Sequence, residues 1–154
     1  MAGQRKAVTL VELILIVLLV GIFALIAVPR LNIAALSRQK VEYQTRKIVT
    51  DLRRTRRMAI SDAAGNSAGF SLNMVGSEPY SSYKIVNLNT STTVNSHTIN
   101  SAVNCTGREN FSFAPLGNLS DAGTAELTVS AEGRIFTITV TPATGMVKCV
   151  KNQQ

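Results

Sequence analysis

The chain has 154 residues, 16 Lys+Arg against 9 Asp+Glu for a formal charge of +7, and only 5% aromatic residues with no Trp. That length leaves room for one anchor and one globular domain of about a hundred residues, and the shortage of rings predicts a core of Val, Ile, Leu and Ala. The positive charge suggests nucleic acid until it is divided along the chain: residues 1–57 hold 11 basic against 3 acidic side chains, residues 58–154 hold 5 against 6. The excess belongs to the N-terminal arm, so a basic binding face on the domain is not indicated.

The first element is apolar. Leu13 to Val28 contains no polar side chain, and with Val8 to Val11 added the stretch would rise about 30 Å as a helix, enough to span a bilayer core. Arg5 and Lys6 before it resemble the basic start of a secretory signal, but the run is too long and no small-x-small site follows it. Glu12 is unexpected, because a carboxylate in hydrocarbon costs about 3 kcal/mol. Two readings are open: a buried carboxylate with a partner, or a residue at the interface favouring the positive end of the helix dipole.

The context Lys6-Ala7-Val8-Thr9-Leu10-Val11-Glu12-Leu13, followed by Gly21 and Pro29, resembles the type IV prepilin signature. The resemblance implies cleavage between Ala7 and Val8 by a prepilin peptidase and methylation of the new N-terminus at Val8. Residues 1–7 are then a leader and 8–29 a transmembrane and assembly helix, with Gly21 and Pro29 as the places where it bends. The family usually has Gly before the cut and Phe after it, where this chain has Ala7 and Val8. The resemblance also implies a role for Glu12: its carboxylate pairs with the N-terminal ammonium of a neighbouring subunit, each charge neutralising the other. Such a head-to-tail pairing sets the register of an open helical filament.

Beyond Pro29 a basic arm, 30–62, keeps a helical period. Val41, Thr45, Ile48, Leu52, Thr55 and Ala59 recur at spacings of three and four and share one stripe, the expected seat of the domain. Arg53, Arg54, Arg56 and Arg57 straddle it. Solvated flanks near anionic headgroups, pairing with acidic partner surfaces and phosphate contacts are the three readings of these arginines. Ser61 to Asn66 should end the helix, with Gly65 or Asn66 in the left-handed conformation.

Residues 66–154 read as a β-rich domain. Strands are expected near 68–73, 82–88, 92–99, 110–114, 124–130, 134–141 and 145–150, with a hairpin joining Ala125–Ser130 to Arg134–Val140 across Ala131-Glu132-Gly133. The Asn/Ser/Thr-rich stretch 87–104 predicts an exposed loop or edge strand. Pro115-Leu116-Gly117-Asn118 and Pro142-Ala143-Thr144-Gly145 are turns, Pro fixing one torsion and Gly supplying a positive one. Cys105 and Cys149 lack metal spacing, so a disulfide between them is expected, worth about 3 to 4 kcal/mol in an oxidising compartment. His97, with no carboxylate near it in sequence, reads as a surface histidine. No catalytic motif is evident and no cofactor is implied.

Leu52–Ile60, Phe113–Ser120 and Ile138–Val147 together resemble the GspH/FimT family of minor pseudopilins and minor type IV pilins. That resemblance implies an α+β fold, a long N-terminal helix, half transmembrane and half amphipathic, packed on an antiparallel β-sheet domain. It implies a filament subunit of a type II secretion pseudopilus or a type IV pilus, with other pilin subunits, prepilin peptidase and the inner membrane as partners. Some FimT-type proteins bind DNA through arginines near the C-terminus; only Lys148 and Lys151 stand there, which counts against DNA. The positive-inside rule, applied to Arg30, Arg38, Lys40, Arg46 and Lys47, would keep the domain in the cytoplasm, whereas the resemblance and the cysteine pair both favour export to the periplasm.

Overall fold

The computed structural model describes residues 9–27, 33–121 and 123–152. Ala7, Val8 and Pro29 lie outside these, and with them the cleavage site and the proline bend. The chain divides into two units, Met1–Ile33 and Ala34–Gln154.

The first unit contains α1 (Leu10–Ala27), 18 residues, rising about 27 Å. Leu, Ile and Val circle the helix on every side instead of forming a stripe. Among the described residues no helix is long and apolar enough to cross a membrane, α1 stopping short of the roughly 20 residues a span needs. Both ends of the expected 8–29 span lie outside the described residues.

The second unit is built on α2 (Ile33–Ser61) and eight strands: β1 (Phe70–Val75), β2 (Ser82–Asn87), β3 (Thr92–Thr98), β4 (Asn104–Gly107), β5 (Asn110–Phe113), β6 (Glu126–Ala131), β7 (Arg134–Thr141) and β8 (Met146–Asn152). The expected stripe is the buried face of α2: Val41, Ile48, Leu52, Thr55 and Ala59 are fully buried and Thr45 nearly so. Val41, Ile48 and Leu52 each contribute about 1.5 to 3 kcal/mol by leaving water. The two threonine hydroxyls are satisfied inside the helix, Thr45 Oγ1 donating to Val41 O and Thr55 Oγ1 to Asp51 O, both at 2.7 Å.

The strands form two antiparallel four-stranded sheets, ordered β3-β2-β1-β5 and β4-β6-β7-β8, where the sequence suggested one. The chain passes between them three times, from β3 to β4, β4 to β5 and β5 to β6; the second passage follows Gly107, whose φ of 118° and close approach to Glu126 O, 2.7 Å from where a Cβ would stand, exclude a side chain. Both sheets and α2 share one core. In β7 the predicted alternation holds, Phe136, Ile138 and Val140 facing inward. The β6–β7 hairpin closes through Glu132 and Gly133, both at positive φ, the turn whose twist matches its strands. The exposed β3 is an edge strand, as its composition predicted.

Two expectations about the unit are corrected. Aromatic rings carry much of the core: Phe70, Tyr80, Tyr83, Phe111, Phe113 and Phe136 are buried, because inward positions on paired strands take whatever large apolar side chains the short sequence offers. Neither Gly65 nor Asn66 takes a positive φ. The helix ends instead in a turn in which Asn66 N donates to Asp62 O at 2.8 Å. The Asn66 side chain then starts the first sheet, bonding the Gly69 backbone twice at 2.8 Å.

Candidate assembly site

The first candidate is α1 itself. Thr9 precedes its first residue, and Glu12 N donates to Thr9 Oγ1 at 3.3 Å, half of the reciprocal Thr-x-x-Glu cap that satisfies an orphan donor. Glu12 is the acidic residue of the first turn, so the interfacial reading of this carboxylate has a local physical basis. From Leu10 to Phe23 the large apolar side chains are 44–75% exposed. A helix apolar all round needs a cover, lipid or other helices. Gly21 lies inside the unbroken helix, and among the described residues a Cβ there would meet nothing within 4 Å. At about 100° per residue, Glu12 and Gly21 point to opposite faces of α1.

The second candidate is the arginine run on α2. Arg53 Nη2 donates to Val147 O at 3.3 Å and Arg56 Nε to Gly117 O at 3.0 Å, so two of the four are tied back onto the β-domain. Arg54 and Arg57 remain exposed. The expected turns are present, Gly117 with φ of 81° and Gly145 with φ of 64°, and they dock on each other. A Cβ on Gly145 would stand 1.8 Å from Gly117 O. Leu119 N also donates to Pro142 O at 2.9 Å. The three segments 52–60, 113–120 and 138–147 therefore meet at one place.

A third cluster escaped the sequence. Asp51, buried on α2, accepts a 2.6 Å hydrogen bond from Tyr83 Oη, and His97 Nε2 lies 3.6 Å from the same Oδ2. His97 is thus partnered and largely covered, its side chain 24% exposed, rather than a surface residue. Burial, reinforced by the bond to Asp51, pushes the Tyr83 phenol well above its ordinary range, so the ring remains a donor at any physiological pH. The signal available in sequence was Asp51, one of two acids on a basic helix, placed next to the buried stripe.

The disulfide is contradicted. Both cysteines are free, Cys105 buried and Cys149 exposed. They stand on β4 and β8, the two outer strands of one sheet, with β6 and β7 between. Three strand spacings amount to roughly 14 Å, about twice the Cα separation a disulfide tolerates. Burial pushes the Cys105 thiol up to about 12, with nearby Glu78 adding to the shift. Cys149 is also raised by burial, while Arg53 pulls it down.

No protein-family model matches the sequence, and no curated protein does. Among solved structures, the chain is similar to the type IV minor pilin FimU of Pseudomonas aeruginosa (strain PAO1), with a TM-score of 0.62 and 13% identity, over 76% of this chain and 96% of that one. At that identity the likeness shows the fold, a helix packed on antiparallel β-sheets in the manner of a minor pilin.

Proposed function

We propose that the chain is a filament subunit of the minor-pilin type, belonging with the GspH/FimT proteins and serving in a type II secretion pseudopilus or a type IV pilus, where it acts in filament initiation or at the tip. The observation that carries this reading is α1, apolar on every side, exposed from Leu10 to Phe23 and bearing one acid in its first turn, in a chain whose fold is like that of a minor pilin. Before assembly the lipid of the inner membrane covers this surface, and afterwards the helices of other subunits do. Prepilin peptidase cuts between Ala7 and Val8, and Glu12 then neutralises the methylated ammonium of a neighbour. The carboxylate already stands in the first turn of α1, the end at which that ammonium would arrive.

Export of the domain to the periplasm is part of this proposal. With both cysteines free, it rests on the likeness of fold, and a reporter fused at the C-terminus decides the topology. The N-terminus decides the processing: in a host carrying the cognate peptidase, mass spectrometry should find the mature chain beginning at methylated Val8. A chain retaining residues 1–7 would overturn the reading.

A further inference from the structure

The charged side chains at the two edges of the second sheet are of opposite sign, the basic ones coming from the end of α2. The second sheet has β8 at one edge and β4 at the other. Beside β8, Arg53, Arg56 and Arg57 line a cleft of about 320 Å³ with Gly145, Met146 and Val147. Among the described residues none of these arginines has a carboxylate within 4.0 Å. In the neighbouring turn, which Arg56 holds by its bond to Gly117, Leu116 is 89% exposed. An exposed aliphatic side chain beside arginines without a carboxylate partner offers a protein partner an apolar contact with a charged rim, and no aromatic residue lines the arginine cleft for a nucleic-acid base to stack on.

The β4 edge carries the opposite features. Glu78 Oε1 accepts from Gly107 N at 2.7 Å and Asp121 pairs with Arg108 at 3.3 Å. The backbone of Glu126 accepts from Arg108 N at 2.8 Å, and Glu109 is the next residue in the chain. Glu78, Glu109, Asp121 and Glu126 thus lie on or beside this edge, and Asp121 alone of the four pairs with its arginine. Next to Glu78 opens a second cleft of about 320 Å³, with Pro79, Tyr80, Ile99 and Val103 among its walls.

We infer that these two edges are the halves of a head-to-tail contact between copies of this chain: Leu116 of one copy enters the Tyr80–Val103 cleft of the next, with Arg57 and its neighbours facing Glu78 and Glu109. The Leu116 knob and the cleft lie at opposite edges of the second sheet, so a single head-to-tail contact leaves a free knob on one copy and a free cleft on the other, and repetition extends the row unless the rotation closes it into a ring. Exposed charge pairs of this kind steer and orient partners more than they bind them, so the association is salt-sensitive. The inference uses only surfaces of the second unit and stands whether or not α1 has the role proposed above.

The test uses the full chain in detergent micelles with Cys149 replaced by Ser. Copies carrying Ala143→Cys are mixed with copies carrying Ser101→Cys and treated with a short bismaleimide. The mixture should cross-link severalfold more than either variant alone. The yield should fall severalfold when salt is raised from about 0.1 M to 1 M, which shortens screening from about 10 Å to about 3 Å. It should also fall with Leu116→Asp or Arg57→Glu on the Ala143→Cys copy, and Glu109→Arg on the other copy should restore the Arg57→Glu loss. Leu116 and Arg57 are exposed, and an unchanged circular dichroism spectrum establishes that their variants fold. Equal yields in the mixture and in the separate variants, or a yield unmoved by Leu116→Asp and Arg57→Glu, would overturn the inference.

Discussion

The Arg56 guanidinium donates from Nε to the Gly117 carbonyl at 3.0 Å, and this bond fastens the end of α2 to two turns at once. Gly145 lies against the same carbonyl, with its Cβ position 3.0 Å from Arg56 Nε. Gly145→Ala combines a backbone clash with a side chain at φ of 64°, and should destabilise the unit by on the order of 3 kcal/mol. Arg56→Ala only removes one charged donor and should cost about 1 to 2 kcal/mol. Urea unfolding of the two variants measures both, and the order between them is the prediction.

The Asp51–Tyr83 bond joins α2 to β2 with a fully buried ring. Asp51→Ala strands the Tyr83 hydroxyl away from water and should cost about 2 to 3 kcal/mol. His97 loses its neighbour in the same variant, so its imidazole resonances should move in an NMR spectrum at fixed pH. Unchanged stability and unchanged resonances would mean that the cluster holds nothing.

Thiol counting checks the correction of the disulfide. In the native chain a maleimide should label Cys149 and leave Cys105 untouched, and both should react in denaturant. Cys149→Ser should leave stability within about 0.5 kcal/mol, whereas loss of a disulfide across this interval would cost about 3 to 4 kcal/mol.

Alkaline pH should weaken the unit. The folded Cys105 thiol is raised from 9.0 to about 12, so above pH 9 the unfolded chain releases a proton that the folded chain keeps. The contribution is complete below about 9 and is lost as pH rises toward 12, at up to roughly 1.4 kcal/mol per pH unit. Tyr80 and Tyr83, both raised above 10.0 mainly by burial, act in the same direction. Cys105→Val should flatten the slope between pH 9 and 10 in unfolding experiments, where the tyrosines contribute little.

Much of this architecture was legible because it rests on local periodicity. The stripe from Val41 to Ala59 and the alternation of Phe136, Ile138 and Val140 each need only a helix or strand to express them, and seven of the eight strands were expected near their places. β4 was not, since Asn104-Cys105-Thr106-Gly107 is four residues long and carries no alternating pattern of its own; it becomes a strand by pairing with β6. The disulfide failed for a related reason. Two cysteines in a β-domain give no strand order, and the order placed them on opposite edges. The Asp51–Tyr83–His97 cluster joins three elements distant in sequence, which no spacing rule reaches. The candidate site was legible where it lies on one helix, at Glu12 and Gly21, and illegible where turns from separate segments meet, at Arg56, Gly117 and Gly145.

Among the described residues nothing packs where a Cβ at Gly21 would stand, and in an isolated helix Gly21→Ala should gain about 1 kcal/mol. If the small side chain exists to let a neighbouring helix approach, that variant should enter filaments less well while staying in the membrane. Unimpaired incorporation would leave Gly21 without an assembly role.

The most direct measurement compares wild type with Glu12→Ala for abundance in the membrane fraction and for co-purification with the other filament subunits. The account predicts that Glu12→Ala reaches the membrane at wild-type level and is depleted about tenfold or more from filaments, the consequence of leaving a neighbour's ammonium unpaired in an apolar setting. Incorporation of Glu12→Ala at the wild-type level would contradict it, leaving the carboxylate only its favourable place at the positive end of the helix dipole.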